Sequence, residues 1–249
     1  MTFEEFSRII RAEFPDLTEG QMELFQRMEP LYRDWNSRIN VISRKDIDGF
    51  YEHHVLHSLA IAAYWRREGI IPSASASAPA GADVSSAPHL SASCPSAPCL
   101  SVLDVGTGGG FPGIPLAVLF PQMQFTLCDS VGKKTIVASA VAEALGLDNV
   151  TVVNARAESL PAVYDLVVSR AVTTLEGFYP WVRDRFKYSI FYLKGGDVNE
   201  EIALLMARNR LKKGSVRTWR VDNWLEGEYF QEKFVIQIEK DYLCSPFVE

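Results

Sequence analysis

Apolar positions recur at helical spacing in the first quarter of the chain and as short strand-like runs after residue 99. Phe25, Met28, Leu31, Tyr32 and Trp35 follow one another at three- and four-residue steps, which places them on one helical stripe. The pattern predicts amphipathic helices over Phe3–Phe14 and Thr18–Ser37, with Thr18 and Gln21 forming a capping box at the start of the second. A link at Ile39–Asp46 leads to a third helix over about Ile47–Arg67. Pro72–Cys99 breaks the period: of its 28 residues eight are Ser, eight Ala and five Pro, with one charge at Asp83. Such a stretch is expected to be a mobile loop or tether, because it has too little apolar surface to bury.

From Leu100 onward, apolar runs alternate with helical stretches. Strands are predicted at Leu100–Val105, Met123–Asp129, Val150–Asn154, Asp165–Ser169 and Tyr188–Lys194, with two late ones near Val216–Val221 and Lys233–Ile238. Helices are predicted at Pro112–Phe120, Lys133–Leu145, Leu175–Phe186 and Val198–Asn209. Alternation with short connections implies an α/β fold with a mostly parallel central sheet covered on both faces, its last strands forming an antiparallel edge. The expected organisation is an N-terminal helical region at 1–71, a Ser/Ala/Pro-rich flexible insertion at 72–99 and a Rossmann-like domain at 100–249.

Composition narrows the class. At 249 residues and 47% apolar, the chain has material for one large core. It contains no apolar run near 18 residues, and the start MTFEEFSRIIRAEF carries acids where a signal peptide needs bases, so a cytoplasmic location is expected. Cys94, Cys99, Cys128 and Cys244 show no CxxC spacing, and His89 with Cys94 and Cys99 makes a poor metal site, so no metal is expected. The net charge of −6 disfavours strong nonspecific nucleic-acid binding. The charge is uneven, however. Arg208, Arg210, Lys212, Lys213, Arg217 and Arg220 form a run without acids, and Arg33, Arg38, Arg44, Lys45, Lys133 and Lys134 add smaller basic spots that can grip a phosphate backbone locally.

The candidate chemistry lies in Leu100–Gly113, LSVLDVGTGGGFPG, where a strand ends in an acid, a glycine-dense turn follows, and Pro112 opens a helix. Gly106, Gly108 and Gly110 allow main-chain N–H groups to approach a ligand closely. Gly108, Gly110 and Gly113 also satisfy GxGxxG literally, which by itself points to a dinucleotide. Asp104 changes that reading: a carboxylate is a poor neighbour for pyrophosphate and a good acceptor for an ammonium group. S-adenosylmethionine has an amino-acid end and no phosphate. Asp129 ends the next strand at the ribose-binding spacing of about 20 residues.

Further segments extend the pattern: RDWNSRINVIS (33–43), EHHVLHS (52–58), LDVGTGGGFPGIPLA (103–117), LCDSVGKK (127–134), ARAE (155–158) and VVSRA (167–171). Together they resemble the glucose-inhibited division protein B family, the small-subunit rRNA (guanine-N7)-methyltransferases. The resemblance implies a Rossmann-like S-adenosylmethionine-dependent methyltransferase fold and methyl transfer to N7 of one guanosine in 16S rRNA. Carried onto matching positions, it implies cofactor contacts from Gly106, Phe111, Ala157, Glu158 and Arg170, beside the Asp104, Gly108 and Asp129 of the glycine turn and the second strand. His57 departs from the family, which commonly has an acid there.

Guanine N7 has an in-plane lone pair and no proton, so its methylation needs alignment and not a general base. Arg170 is the candidate to span the cofactor and substrate sides; an ion pair with Asp165 or Glu158 is its structural alternative. Arg33, Arg38, Lys133, Lys134 and Lys194 are expected to contact phosphates, Asn40 and Ser43 to shape the pocket rim, and His54 to stack or hydrogen-bond there. The expected partner is 16S rRNA or the small ribosomal subunit, with no membrane, no obligate protein partner and a monomeric state. Three rival readings stay open at this point, one of them a methyltransferase acting on a small molecule or protein. A noncatalytic RNA-binding or assembly factor would keep the fold without methyl transfer, and an NAD-dependent oxidoreductase would bind NADH.

Overall fold

The computed structural model describes residues 1–43, 46–71 and 99–240. The Ser/Ala/Pro-rich insertion lies outside the described residues apart from Cys99, as do His89, Cys94, Arg44, Lys45 and Cys244.

Two helices open the chain, α1 (Phe3–Glu13) and α2 (Glu19–Arg38). Each starts at a reciprocal capping box. Thr2 Oγ1 accepts from the Glu5 amide while the Glu5 carboxylate accepts from the Thr2 amide, and Thr18 and Gln21 repeat the arrangement. Gln21 also ties two helices together. Its Nε2 donates to the carbonyls of Val118 and Leu119, at 2.9 and 3.0 Å, joining the start of α2 to the end of a later helix.

The third predicted helix is three pieces. A 3-10 turn at Ile47–Gly49 runs into a π-helical segment, Phe50–Leu56, and then into α3 (His57–Arg67). A period of 3.6 and a locally wider turn leave nearly the same apolar pattern over seven residues, so the sequence does not separate them.

Among the described residues seven strands follow: β1 (Ser101–Val105), β2 (Gln124–Asp129), β3 (Val150–Asn154), β4 (Tyr164–Arg170), β5 (Phe186–Gly195), β6 (Val216–Arg220) and β7 (Lys233–Glu239). Between them lie α4 (Gly113–Leu119), α5 (Gly132–Leu145), α6 (Leu175–Val182) and α7 (Asn199–Asn209). The sheet order is β3-β2-β1-β4-β5-β7-β6. The first five are parallel, and β7 runs antiparallel to both β5 and β6. The expected antiparallel edge is thus β6, with β7 inserted inside it. Helix α6 stops at Val182, short of the predicted Phe186, because Phe186 already pairs with Tyr164 in the sheet.

One face of the sheet is covered by the N-terminal helices together with α4 and α5. Phe6, Phe25 and Trp65 share a core with Val102, Phe125, Leu166, Val168 and Phe191. The other face packs Leu103, Val167 and Tyr192 against Phe178 and Val182 of α6 and Leu205 of α7. The N-terminal helical region is therefore a layer of the same core. Register sets the site: Val105 stands level with Cys128 and Ser169, and Asp129 with Asn154, so the carboxyl ends of β1 to β4 form one row. Ligands in open α/β sheets bind along such a row. No helix among the described residues is long and apolar enough to cross a membrane.

Candidate active site

The chain leaves β1 at Gly106, whose φ is +69°. A Cβ there would stand 2.4 Å from Cγ2 of Val172, so both the backbone conformation and the close approach require glycine. The Gly106 and Thr107 amides donate to the Cys128 carbonyl, at 2.8 and 3.1 Å, and Tyr32 of α2 donates its hydroxyl to the Gly109 carbonyl at 2.7 Å. The glycine turn is thus clamped from the sheet side and from the N-terminal layer.

Asp104 does not line the cleft above this turn. It lies beneath it with no exposed surface. Its Oδ2 accepts from the Thr107 hydroxyl at 2.6 Å and from the Gly113 amide at 2.9 Å, while Oδ1 has no hydrogen-bond partner among the described residues. Burial pushes this carboxyl up to about 7, against hydrogen bonds that pull it down. The direct ammonium contact expected of Asp104 is replaced by a structural one: its side chain orders the turn and the start of α4. Helix α4 begins at Gly113, after a cis Phe111–Pro112 peptide.

Asp129 is in the cleft wall. Oδ2 accepts from the Gly108 amide and Oδ1 from the Val131 amide, both at 2.8 Å. Each oxygen keeps a lone pair beyond those bonds. Gly108 itself faces Asp129 and does not border the cleft.

The cleft has a volume of about 480 Å³, within the range of small-ligand sites. Gly106, Asp129, Lys134, Ala157, Glu158 and Arg170 of the expected residues border it. Val131, Arg156, Ala171, Val172 and Trp181 border it as well; the first three lie within the motif segments without a role of their own there, and the last two lie outside them. Ala171 has a φ of +46°, an uncommon state for a residue with a Cβ, where the chain turns out of β4. Trp181 comes from the last turn of α6, where nothing local distinguishes it from a core aromatic.

Arg170 points to the face of the sheet covered by the N-terminal helices, two residues on from Val168. Its guanidinium carbon lies 5.2 Å from the centre of the Phe111 ring. Nη1 donates to the His53 carbonyl at 3.2 Å and Nη2 to His54 Nδ1 at 3.1 Å, in place of the alternative ion pair with Asp165 or Glu158. Asp165 is instead bound by Lys187 at 2.8 Å. Phe111 is buried against Tyr32, at 4.8 Å between ring centres, and supports Arg170 from below the cleft.

The residues expected to meet RNA divide. His54 is buried on Arg170, so a stacking contact with a base from that position is excluded. Lys194 donates to Glu201 at 2.8 Å and to the Thr173 carbonyl at 3.1 Å, leaving its amine committed inside the protein. Arg33 is exposed but paired with Glu29 and Asp48, and Arg38 with Asp34. Asn40, Ser43 and Lys133 are exposed outside the cleft, and Val41 between the first two packs close to Gly109. All six bases of the Arg208–Arg220 run are exposed; Arg217 pairs with Glu239 and Arg220 with Asp222. His57 is buried behind Tyr229, with Nδ1 3.1 Å from its hydroxyl, and burial holds the ring well below its ordinary pKa.

Neither thiol nor imidazole at the cleft is poised for proton transfer or attack. Burial, with Asp129 and Asp104 nearby, raises the Cys128 thiol to about 11, and its Sγ donates to the Ala155 carbonyl at 3.1 Å. His54 is driven down to about 4, chiefly by burial and then by Arg170.

The family model for rRNA small subunit methyltransferase G matches residues 87–222. The chain is 41% identical over 237 residues to the ribosomal RNA small subunit methyltransferase G of Flavobacterium psychrophilum, covering 92% of this chain and 96% of that protein. It is 44% identical over 241 residues to the protein of the same name from Porphyromonas gingivalis, covering 93% of each. In fold it is similar to magnesium protoporphyrin IX methyltransferase of Synechocystis, solved with bound S-adenosylmethionine. That match has a TM-score of 0.54, 13% identity, and coverage of 86% of this chain and 97% of the other.

Proposed function

Because the chain belongs to the rRNA small subunit methyltransferase G family, we propose that it methylates N7 of a guanosine in 16S rRNA, using S-adenosylmethionine. The observation that carries the reading is the cleft at the carboxyl row of the sheet, with Gly106 as its floor and Asp129 in its wall.

The residues present fit the cofactor. Asp129 has acceptor capacity left for ribose hydroxyls, and the glycine at 106 leaves room that a Cβ would fill. Lys134 and Arg170 supply positive charge for an amino-acid carboxylate, while Glu158 adds a carboxylate where a pyrophosphate would be repelled. Ala157, Val131 and Trp181 offer apolar wall for a purine. When bound, S-adenosylmethionine supplies a methyl group made electrophilic by its sulfonium.

What the chain itself contributes is alignment and exclusion of water. N7 bears no proton, so no side chain has to remove one, which agrees with a neutral His54 locked on Arg170 and a Cys128 thiol held protonated. Arg170 reaches the cleft from below and orients what lies against β4. The target base must be unpaired, because the N7 edge lies in the deep groove of an RNA duplex. Lys133 and Lys134 lie at the start of α5, which supports a role for them in holding phosphates that flank that base.

The test is incubation with methyl-labelled S-adenosylmethionine and 16S rRNA, naked or in the small subunit, followed by mapping of N7-methylguanosine. Label at N7 of one guanosine is expected; label elsewhere, or none in either substrate, overturns the proposal.

A further inference from the structure

Arg170 is the centre of a polar cluster that joins three parts of the molecule under the cleft. The π-helical segment contributes His53 and His54, the turn before it Asp46, and the loop preceding β7 Tyr229. Irregular π-helical turns recur at functional sites. The His53 carbonyl accepts both from Arg170 Nη1, at 3.2 Å, and from the Tyr229 hydroxyl, at 3.1 Å. The Tyr229 ring stacks on His53 with centres 3.9 Å apart and planes 17° from parallel.

A guanidinium is only a donor. For His54 Nδ1 to accept from Arg170 Nη2, the imidazole must be neutral with its proton on Nε2. That nitrogen lies 3.0 Å from Asp46 Oδ2, close enough for the carboxylate to attract the N–H dipole though off the angle of a hydrogen bond. Asp46 Oδ1 is 2.5 Å from His53 Nδ1, which holds the carboxylate in place. The chain of dependence runs from Asp46 to His54 to Arg170.

We infer that Asp46 and His54 are positioning residues for Arg170: the Asp46 carboxylate keeps the His54 proton on Nε2, and Nδ1 then fixes the guanidinium at the cleft. The inference rests on the proposed methyl transfer for its kinetic arm only. Burial and Arg170 keep His54 unprotonated far below neutral pH, which preserves the acceptor. Phe111 closes the opposite side, so the guanidinium is held by a ring face, a carbonyl and an imidazole nitrogen.

Two measurements test it. In the free protein, long-range 15N–1H correlation of the imidazoles at neutral pH is expected to show His54 as the Nε2–H tautomer. Asp46→Asn is expected to move it toward Nδ1–H. Wild-type His54 found as Nδ1–H, or a tautomer indifferent to Asp46→Asn, overturns the inference whatever the protein methylates. In the methyl-transfer assay, His54→Ala is expected to lower kcat about 10- to 100-fold, the range for one hydrogen bond to a charged group. His54→Asn, whose Oδ1 replaces Nδ1, is expected to stay within about fivefold of wild type, and His54→Gln to resemble alanine. Asp46→Asn combined with His54→Ala is expected to be no slower than His54→Ala alone. Asparagine as slow as alanine, or multiplying effects in the double variant, refutes the arrangement. A wild type without methyl transfer refutes the proposed function and leaves the tautomer result standing.

Discussion

Replacing Asp104 by asparagine isolates the titration of one buried carboxyl. In the folded protein this group is raised from 3.8 to about 7, mainly by burial. An acid whose folded-state pKa lies above its unfolded value binds more protons in the native state between the two. Its contribution therefore falls as pH rises through that window, and levels off above about pH 7. With about 1.4 kcal/mol per pKa unit, the full span is about 4 kcal/mol, of which about 2 to 3 kcal/mol develops between about pH 5 and pH 7.5. Asparagine keeps one oxygen to accept from Thr107 and Gly113 and does not ionise. Its amide, placed where Oδ1 now has no partner, adds a penalty that does not depend on pH. Urea denaturation of both proteins at about pH 5, 6 and 7.5 is the assay. The stability of Asp104→Asn relative to wild type is expected to improve by about 2 to 3 kcal/mol from the lowest to the highest pH. Parallel pH dependences in the two proteins would show that Asp104 is ionised throughout and refute the account of the turn.

Gly106→Ala is expected to destabilise by about 2 to 4 kcal/mol in urea denaturation, combining left-handed backbone strain with the clash on Val172. Adding Val172→Ala should recover the steric share and leave about 1 kcal/mol; no recovery would mean that Val172 is not the obstacle. Lys133→Ala should weaken rRNA binding and leave the calorimetric affinity for S-adenosylmethionine unchanged, because Lys133 lies outside the cleft. Lys134→Ala should weaken both, because Lys134 borders it. Identical profiles for the two variants would contradict that division.

Much of the architecture was legible because it rests on local rules. Thr18 and Gln21 announce a helix start, Leu100–Val105 and Val150–Asn154 read as strands, and GTGGG can only be a turn. Asp129 was legible as a cleft residue because its place at a strand end fixes its height in the sheet. Asp104 stands level with Leu127, two residues lower in the sheet, and points under the turn; the side of a strand on which a ligand lies is not written in its alternation. His54 and Lys194 failed as RNA contacts for a related reason: Arg170 and Glu201, which consume them, come from other elements of the fold. Trp181 and Tyr229 were missed because an aromatic at helical or loop spacing looks the same whether it faces a core, a cleft or a histidine.

The sequence by itself determined the alternation of elements, the glycine turn after β1 and the acid ending β2, since each follows from periodicity and backbone sterics within a few residues. Only the tertiary structure decided that the N-terminal helices roof the same sheet and that β7 enters between β5 and β6. It also decided that Arg170 turns away from the acids near it in sequence, toward two histidines. Those outcomes depend on which buried polar groups find partners across the core, and that matching is a property of the packed whole.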